Sequence, residues 1–115
     1  MRVNERYRKN IFIVFGDYVI VGFDNSDITF VIDKDDYDND KNFYFYVSKE
    51  PWGNYLKMWK NGKMYRYARY IMNAAGDMKV DHIDRNSQNN RKSNLRVITN
   101  QQNGFNHKLS KKNIS

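Results

Sequence analysis

Between residues 79 and 103 the chain runs Lys79-Val80-Asp81-His82-Ile83-Asp84, then Asn89-Asn90-Arg91, Asn94-Leu95-Arg96 and Thr99-Asn100-Gln101-Gln102-Asn103. A carboxylate beside an imidazole, followed at short intervals by amides and guanidinium groups, holds the parts for cutting a phosphodiester with one metal. That reaction needs a base for the attacking water, a cation at the leaving oxygen and donors that hold the phosphate. Histidine suits the first task because its unperturbed pKa lies near neutral pH. Magnesium or manganese prefers oxygen ligands, from a carboxylate, an amide carbonyl and the substrate phosphate. His82 and His107 are the only histidines.

Positioning these groups places demands on the backbone. Neighbours in a regular strand point to opposite faces, so Asp81 and His82 share a pocket only if the strand bends at its end. The pattern predicts a strand over Met78–Ile83 that enters a polar loop, with Leu95–Ile98 as its antiparallel partner. Thr99 has the form of an N-cap, and Gln102 three residues on completes a capping box, for a helix to about Lys108. A second metal ligand would come from that helix. Asn103 is the natural candidate, with Asn106 and His107 on the same face.

Upstream, Ile11–Phe15, Tyr18–Phe23, Ile28–Ile32, Phe43–Val47, Tyr55–Trp59 and Lys63–Tyr67 read as strands, and Asn61-Gly62 is a hairpin turn signal. Arg69–Asn73 reads as one helical turn before Gly76. The expected fold is a small α+β protein, largely antiparallel, ending in a strand–loop–strand–helix unit. The run Asp33-Lys34-Asp35-Asp36-Tyr37-Asp38-Asn39-Asp40 offers oxygens at alternate positions. Asp38 and Tyr44 stand where a calcium loop needs glycine and glutamate, so a solvated acidic turn is the better reading.

The chain has 115 residues, a net charge of +7 and no cysteine, which excludes disulfides, thiolate metal sites and cysteine nucleophiles. The cysteine count fits a reducing compartment. No apolar run approaches a membrane span and no leader pattern opens the chain, so the expectation is a soluble cytoplasmic protein with no membrane partner. Charge is unevenly spread: residues 11–50 carry nine acids against Lys34, Lys41 and Lys49, while residues 51–115 carry thirteen bases against Asp77, Asp81 and Asp84. A basic half joined to an acidic lobe suggests a polyanion at the C-terminal part. Residues 1–54 are therefore read as an acidic β-rich lobe and residues 55–115 as the unit that carries the chemistry.

Val80-Asp81-His82-Ile83-Asp84, Asn89-Asn90-Arg91, Ser93-Asn94-Leu95-Arg96 and Thr99 with Gln102-Asn103 together resemble the HNH endonucleases. More closely, they are similar to the phage- and intron-associated homing and nicking branch, in which the last histidine of the name is asparagine. The resemblance covers about residues 64–106 and extends more weakly to Val31–Tyr37. It implies a ββα-metal (His-Me finger) unit and a DNA endonuclease that uses Mg²⁺ or Mn²⁺ and leaves 5′-phosphate and 3′-hydroxyl ends. By the same resemblance His82 is the general base, Asn94 braces the loop that holds it, and Asp81 and Asn103 are the metal ligands. Many relatives carry a histidine where this chain has Ala68, so any contribution from that group is missing here, although Arg69 follows it.

Lys57, Lys60, Lys63, Arg66 and Arg69 alternate with Tyr55, Trp59, Tyr65, Tyr67 and Tyr70 around Asn61-Gly62. On a two-stranded ribbon this alternation predicts aromatics toward the core and cations toward phosphate. Lys60, Lys63, Arg66, Arg69, Arg91, Arg96 and Asn106 are thus the expected contacts to double-stranded DNA, with a protein partner or a dimer adding specificity. A competing reading is a non-catalytic module on the same scaffold, either a nucleic-acid binder or a phage inhibitor whose acidic segment meets a host protein. A degenerate nuclease should have lost Asp81, His82 or Asn103, and all three are present.

Overall fold

A computed structural model describes residues 9–24 and 26–99. Its strands follow the period-two burial of the apolar residues. β1 (Asn10–Phe15) and β2 (Tyr18–Phe23) form a hairpin through Gly16, whose φ of +56° suits the first position of a tight turn. In β2, Val19, Val21 and Phe23 point inward and their neighbours are only half-buried. β3 (Phe30–Asp33) pairs antiparallel with β2 and buries Phe30 and Ile32.

Helix α1 (Lys34–Asp40) follows directly, and then β4 (Tyr44–Glu50), β5 (Gly53–Lys60) and β6 (Lys63–Arg66) form an antiparallel three-stranded sheet. Asn61 and Gly62, both at positive φ, make the β5–β6 turn as expected. Helix α2 (Tyr67–Ile71) leads to β7 (Lys79–His82), β8 (Asn89–Asn90), a 3-10 turn (Lys92–Asn94) and β9 (Leu95–Ile98). The core is one cluster: Val19, Val21, Phe23, Phe30, Ile32, Phe45, Leu56, Met58 and Tyr67. Phe12, Phe45 and Tyr67 lock the two larger sheets together through tilted and edge-on ring contacts.

The expectation of an α+β fold ending in a ββα-metal unit is overturned. The described chain is mostly β-sheet, its α-helices limited to segments of seven and five residues. β7 and β9 pair antiparallel as expected, but a ββα-metal unit is not evident among the described residues. The physical reason is that the apolar residues alternate along most of the chain and bury best against sheets. The helix expected from Thr99 to Lys108, with its capping box, falls on residues 100–108, outside the described ones. Nor is every pairing antiparallel: β8 runs parallel to β3, with Val31 opposite Asn89 and Ile32 opposite Asn90. That joins the loop after β7 to the four-stranded sheet β1-β2-β3-β8.

The acidic run 33–40 is not a solvated turn. It is α1, and it buries Asp36 and Asp40. Asp36 accepts from Lys92 Nζ at 2.7 Å, and Asp40 accepts from the Tyr70 hydroxyl at 3.0 Å. Burial holds the Asp40 carboxyl above the usual carboxylate range, against the opposing pull of that hydroxyl. No helix of the described residues is long and apolar enough to cross a membrane.

Candidate active site

β7 ends at His82, and the chain turns at once: the Arg85 N–H donates to the His82 carbonyl at 2.9 Å, with Arg85 at φ +63°. The loop from Asp84 to Arg91 is built from side chains that bond the backbone two residues on. Asp84 accepts from the Asn86 N–H at 2.8 Å, Asn86 from Gln88 at 3.0 Å and Asn89 from Arg91 at 3.3 Å. Asparagine and aspartate at this spacing fix the loop without regular secondary structure. The Asn86 N–H, then the Asn94 amide, hold the Asp84 carboxyl below the usual carboxylate range.

Asn94 closes the loop from beneath. Only 8 % exposed, it donates to Asp84 Oδ1 at 2.8 Å and to the Asn89 carbonyl at 2.9 Å, and its Oδ1 accepts the Asp84 N–H at 3.0 Å. These bonds brace the loop, although Asn94 does not bond His82. The residue that does is Asn90, whose Oδ1 lies 2.9 Å from His82 Nε2. The Asn90 amide nitrogen points to the Ser87 carbonyl at 3.4 Å, so the oxygen faces the imidazole. An amide oxygen can only accept, so Nε2 is the donor in this bond. Asn90 is 2 % exposed and pairs with Ile32 of the core sheet, which gives His82 a rigid anchor.

His82 and Asp81 line one cleft of about 640 Å³ with Trp52, Tyr55, Arg66, Ala68, Arg69, Lys79, Val80, Arg85 and Ser87. The bend after β7 thus lets both side chains border a single space. Four cations against one carboxylate give the cleft a positive potential suited to a phosphodiester. Asp81 Oδ2 accepts from Arg96 Nη2 at 2.8 Å and from Nε at 3.2 Å. Ala68 also lies in this wall.

The expected cations separate into three groups. Arg66 lies in the cleft, where it donates to Glu50 at 2.8 and 3.0 Å and packs over the Tyr55 ring at 4.3 Å. Arg69 is also in the cleft, but its guanidinium caps the carbonyls of Ala74, Gly76 and Met78. Lys60 and Lys63 stand away from it at the β5–β6 turn. Lys60 donates to the Tyr70 hydroxyl at 2.6 Å, and Lys63 lies over the Tyr65 ring at 5.4 Å. Arg91 is held by Asp33 at 2.9 Å and Asp17 at 3.0 Å, so part of the basic half is paired with the acidic lobe inside the chain.

The hairpin does not sort aromatics from cations either. Tyr55, Lys57 and Trp59 alternate with buried Leu56 and Met58, and Lys57 pairs with Arg66 and Trp59 with Met64. Cations and aromatics therefore share the outer face. Asn103, Asn106 and His107 lie outside the described residues. Arg85, Lys79 and Trp52 line the cleft without having been singled out in the sequence, and Asn90, noted there only as part of the motif, is the residue that bonds His82.

Among the described residues no group of three or more histidines, aspartates and glutamates gathers as a metal site. Asp81 is the one described carboxylate in the cleft, and Arg96 already bonds it. The Asp81 side chain is 43 % exposed at the cleft, and Mg²⁺ typically takes only one or two protein carboxylates, with water and substrate phosphate completing its shell.

Residues 72–105 match the family model described as HNH endonuclease. This stretch contains β7, the loop and β9, with Asp81 and His82. Searches of curated proteins and of solved structures gave no match.

Proposed function

From the match of residues 72–105 to the HNH endonuclease family model, we propose that the protein is a metal-dependent DNA endonuclease that hydrolyses phosphodiester bonds. The observation that carries this reading is the His82–Asn90 bond of 2.9 Å beside Asp81 in a cationic cleft. His82 takes a proton from the attacking water at Nδ1, while Asn90 keeps Nε2 protonated and the ring fixed. Arg66, Lys79 and Arg85 draw the phosphate into the cleft and hold its oxygens. Asn94 maintains the loop on which both Asn90 and the β7 end depend.

Asp81 and Asn103 would hold Mg²⁺ or Mn²⁺, which when bound stabilises charge on the departing 3′ oxygen. Arg96 orients the Asp81 carboxylate in the meantime. The products carry a 5′ phosphate and a 3′ hydroxyl. One site cuts one strand, so a monomer nicks duplex DNA, and Lys60, Lys63, Arg96 and Asn106 extend the phosphate contacts beyond the cleft. In this division of labour the acidic side chains of Asp33 and Asp36 steady the loop that carries the cutting residues. A protein partner or a second copy adds specificity.

The test is incubation with supercoiled plasmid and Mg²⁺ or Mn²⁺. Conversion to open circle, abolished by EDTA, is expected. Salt-sensitive binding without cleavage at any metal concentration would favour a non-catalytic nucleic-acid-binding module instead.

A further inference from the structure

The turn between β4 and β5 is Pro51 and Trp52, and it carries an indole that is 72 % exposed. Burial of so large an apolar surface would normally be favourable, so its position needs a reason. Trp52 lines the same cleft as Asp81 and His82.

Three observations show that the turn is fixed there. Ser87 Oγ, from the loop below His82, donates to the Asn54 carbonyl at 2.6 Å. Gly53 sits at φ +151°, which side chains rarely adopt, and a Cβ there would meet Ser87 Oγ at 3.3 Å. Tyr55, two residues on, has its ring 6.5 Å from the His82 imidazole. The loop that carries the chemistry and the turn that carries the indole are therefore one clamped unit. Arg66, Lys79 and Arg85 share the cleft wall and supply the phosphate-seeking charge.

An apolar ring carried on an anchored turn beside a phosphate site matches the wedges that enter a duplex and unstack a base step. Aromatic rings also stack on bases of any sequence. We propose that Trp52 is a base-stacking subsite, which takes an unstacked base of double-stranded DNA next to the phosphate in the cleft. The preferred substrate is then duplex DNA that opens easily at the cleavage point, such as a pyrimidine–purine step or a mismatch. This rests on the DNA-cleaving reading above and adds the local state of the substrate to it.

The experiment uses two short duplexes of one sequence, fully paired or with a central mismatch, each bearing 2-aminopurine beside the centre. The full chain is titrated in EDTA, so that binding is read without cleavage. Wild type should bind the mismatched duplex about tenfold more tightly, as base–aromatic stacking allows, and should quench the 2-aminopurine. Trp52→Ala should bind both duplexes alike with no quenching, and Trp52→Phe should keep part of the preference. Because the indole is exposed, all three proteins should melt alike. Equal, salt-sensitive binding of both duplexes by wild type, or a preference surviving in Trp52→Ala, would overturn the subsite and leave the DNA reading standing. Binding of neither duplex would overturn both.

Discussion

Replacing Asn90 with alanine tests whether the His82 ring is held by the bond seen in the structure. The substitution removes one acceptor, 2.9 Å from Nε2, and leaves the β8 backbone pairing with Ile32 in place. His82 is only half-buried, so water can partly satisfy the orphaned N–H, and the cost in stability should fall near about 1 kcal/mol, the low end for a lost buried partner. The cost in rate should be larger. Without the acceptor the ring can rotate or carry its proton on Nδ1, where it is no base, and losing about 1.4–2.8 kcal/mol of this preorganisation slows the chemical step roughly ten- to hundredfold. Asn90→Asp keeps an acceptor oxygen and should retain most of the rate. The assay is single-turnover nicking of supercoiled plasmid, with DNA affinity by anisotropy and thermal unfolding measured on the same preparations. A folded Asn90→Ala protein that binds DNA normally and nicks within about twofold of wild type would refute the assigned role.

Asn94→Ala should act on folding more than on chemistry alone: three hydrogen bonds and a buried site set a loss of about 2–3 kcal/mol in chemical denaturation, and an unchanged midpoint would argue against the brace. Asp84 gives a pH signature. Its carboxyl is held below the ordinary 3.8 in the folded state, so its stabilising contribution is complete above about pH 3.8 and disappears as pH falls through the lowered value. Urea titrations at several acid pH values should therefore show a steeper loss for wild type than for Asp84→Asn, and parallel curves would contradict this. Tyr67 is fully buried, and its hydroxyl has no hydrogen-bond partner among the described residues. Tyr67→Phe should be neutral or stabilising by about 1 kcal/mol, whereas a clear loss in thermal melts would show that the hydroxyl is engaged.

Much of the strand content was legible from alternation. Tyr18–Phe23 and Leu95–Ile98 have the expected bounds, and the other strands shift by only a few residues because turn signals such as Gly16 and Asn61-Gly62 are local. The run at 33–40 was misread since nothing local reveals that Lys92 and Tyr70 would come to meet Asp36 and Asp40. The parallel β3–β8 pairing was invisible for the same reason: it spans nearly sixty residues and involves only two asparagines on one side. At the site, the Asp81-His82 pair was readable as chemistry, but its support was not. The resemblance offered Asn94 as the brace of the loop that holds His82, and nothing in it offered Asn90, the amide that touches the imidazole itself. Likewise Arg69 and Arg91 looked like free cations, and the fold ties both to partners within the chain.

His82→Ala, compared with wild type for both cleavage and binding on one plasmid in Mg²⁺ or Mn²⁺, tests the central claim most directly. The account predicts that nicking is lost by at least about a hundredfold, as expected when a general base is removed, while salt-sensitive DNA binding stays within about twofold. Undiminished nicking by the folded variant would contradict it and remove His82 from the chemistry.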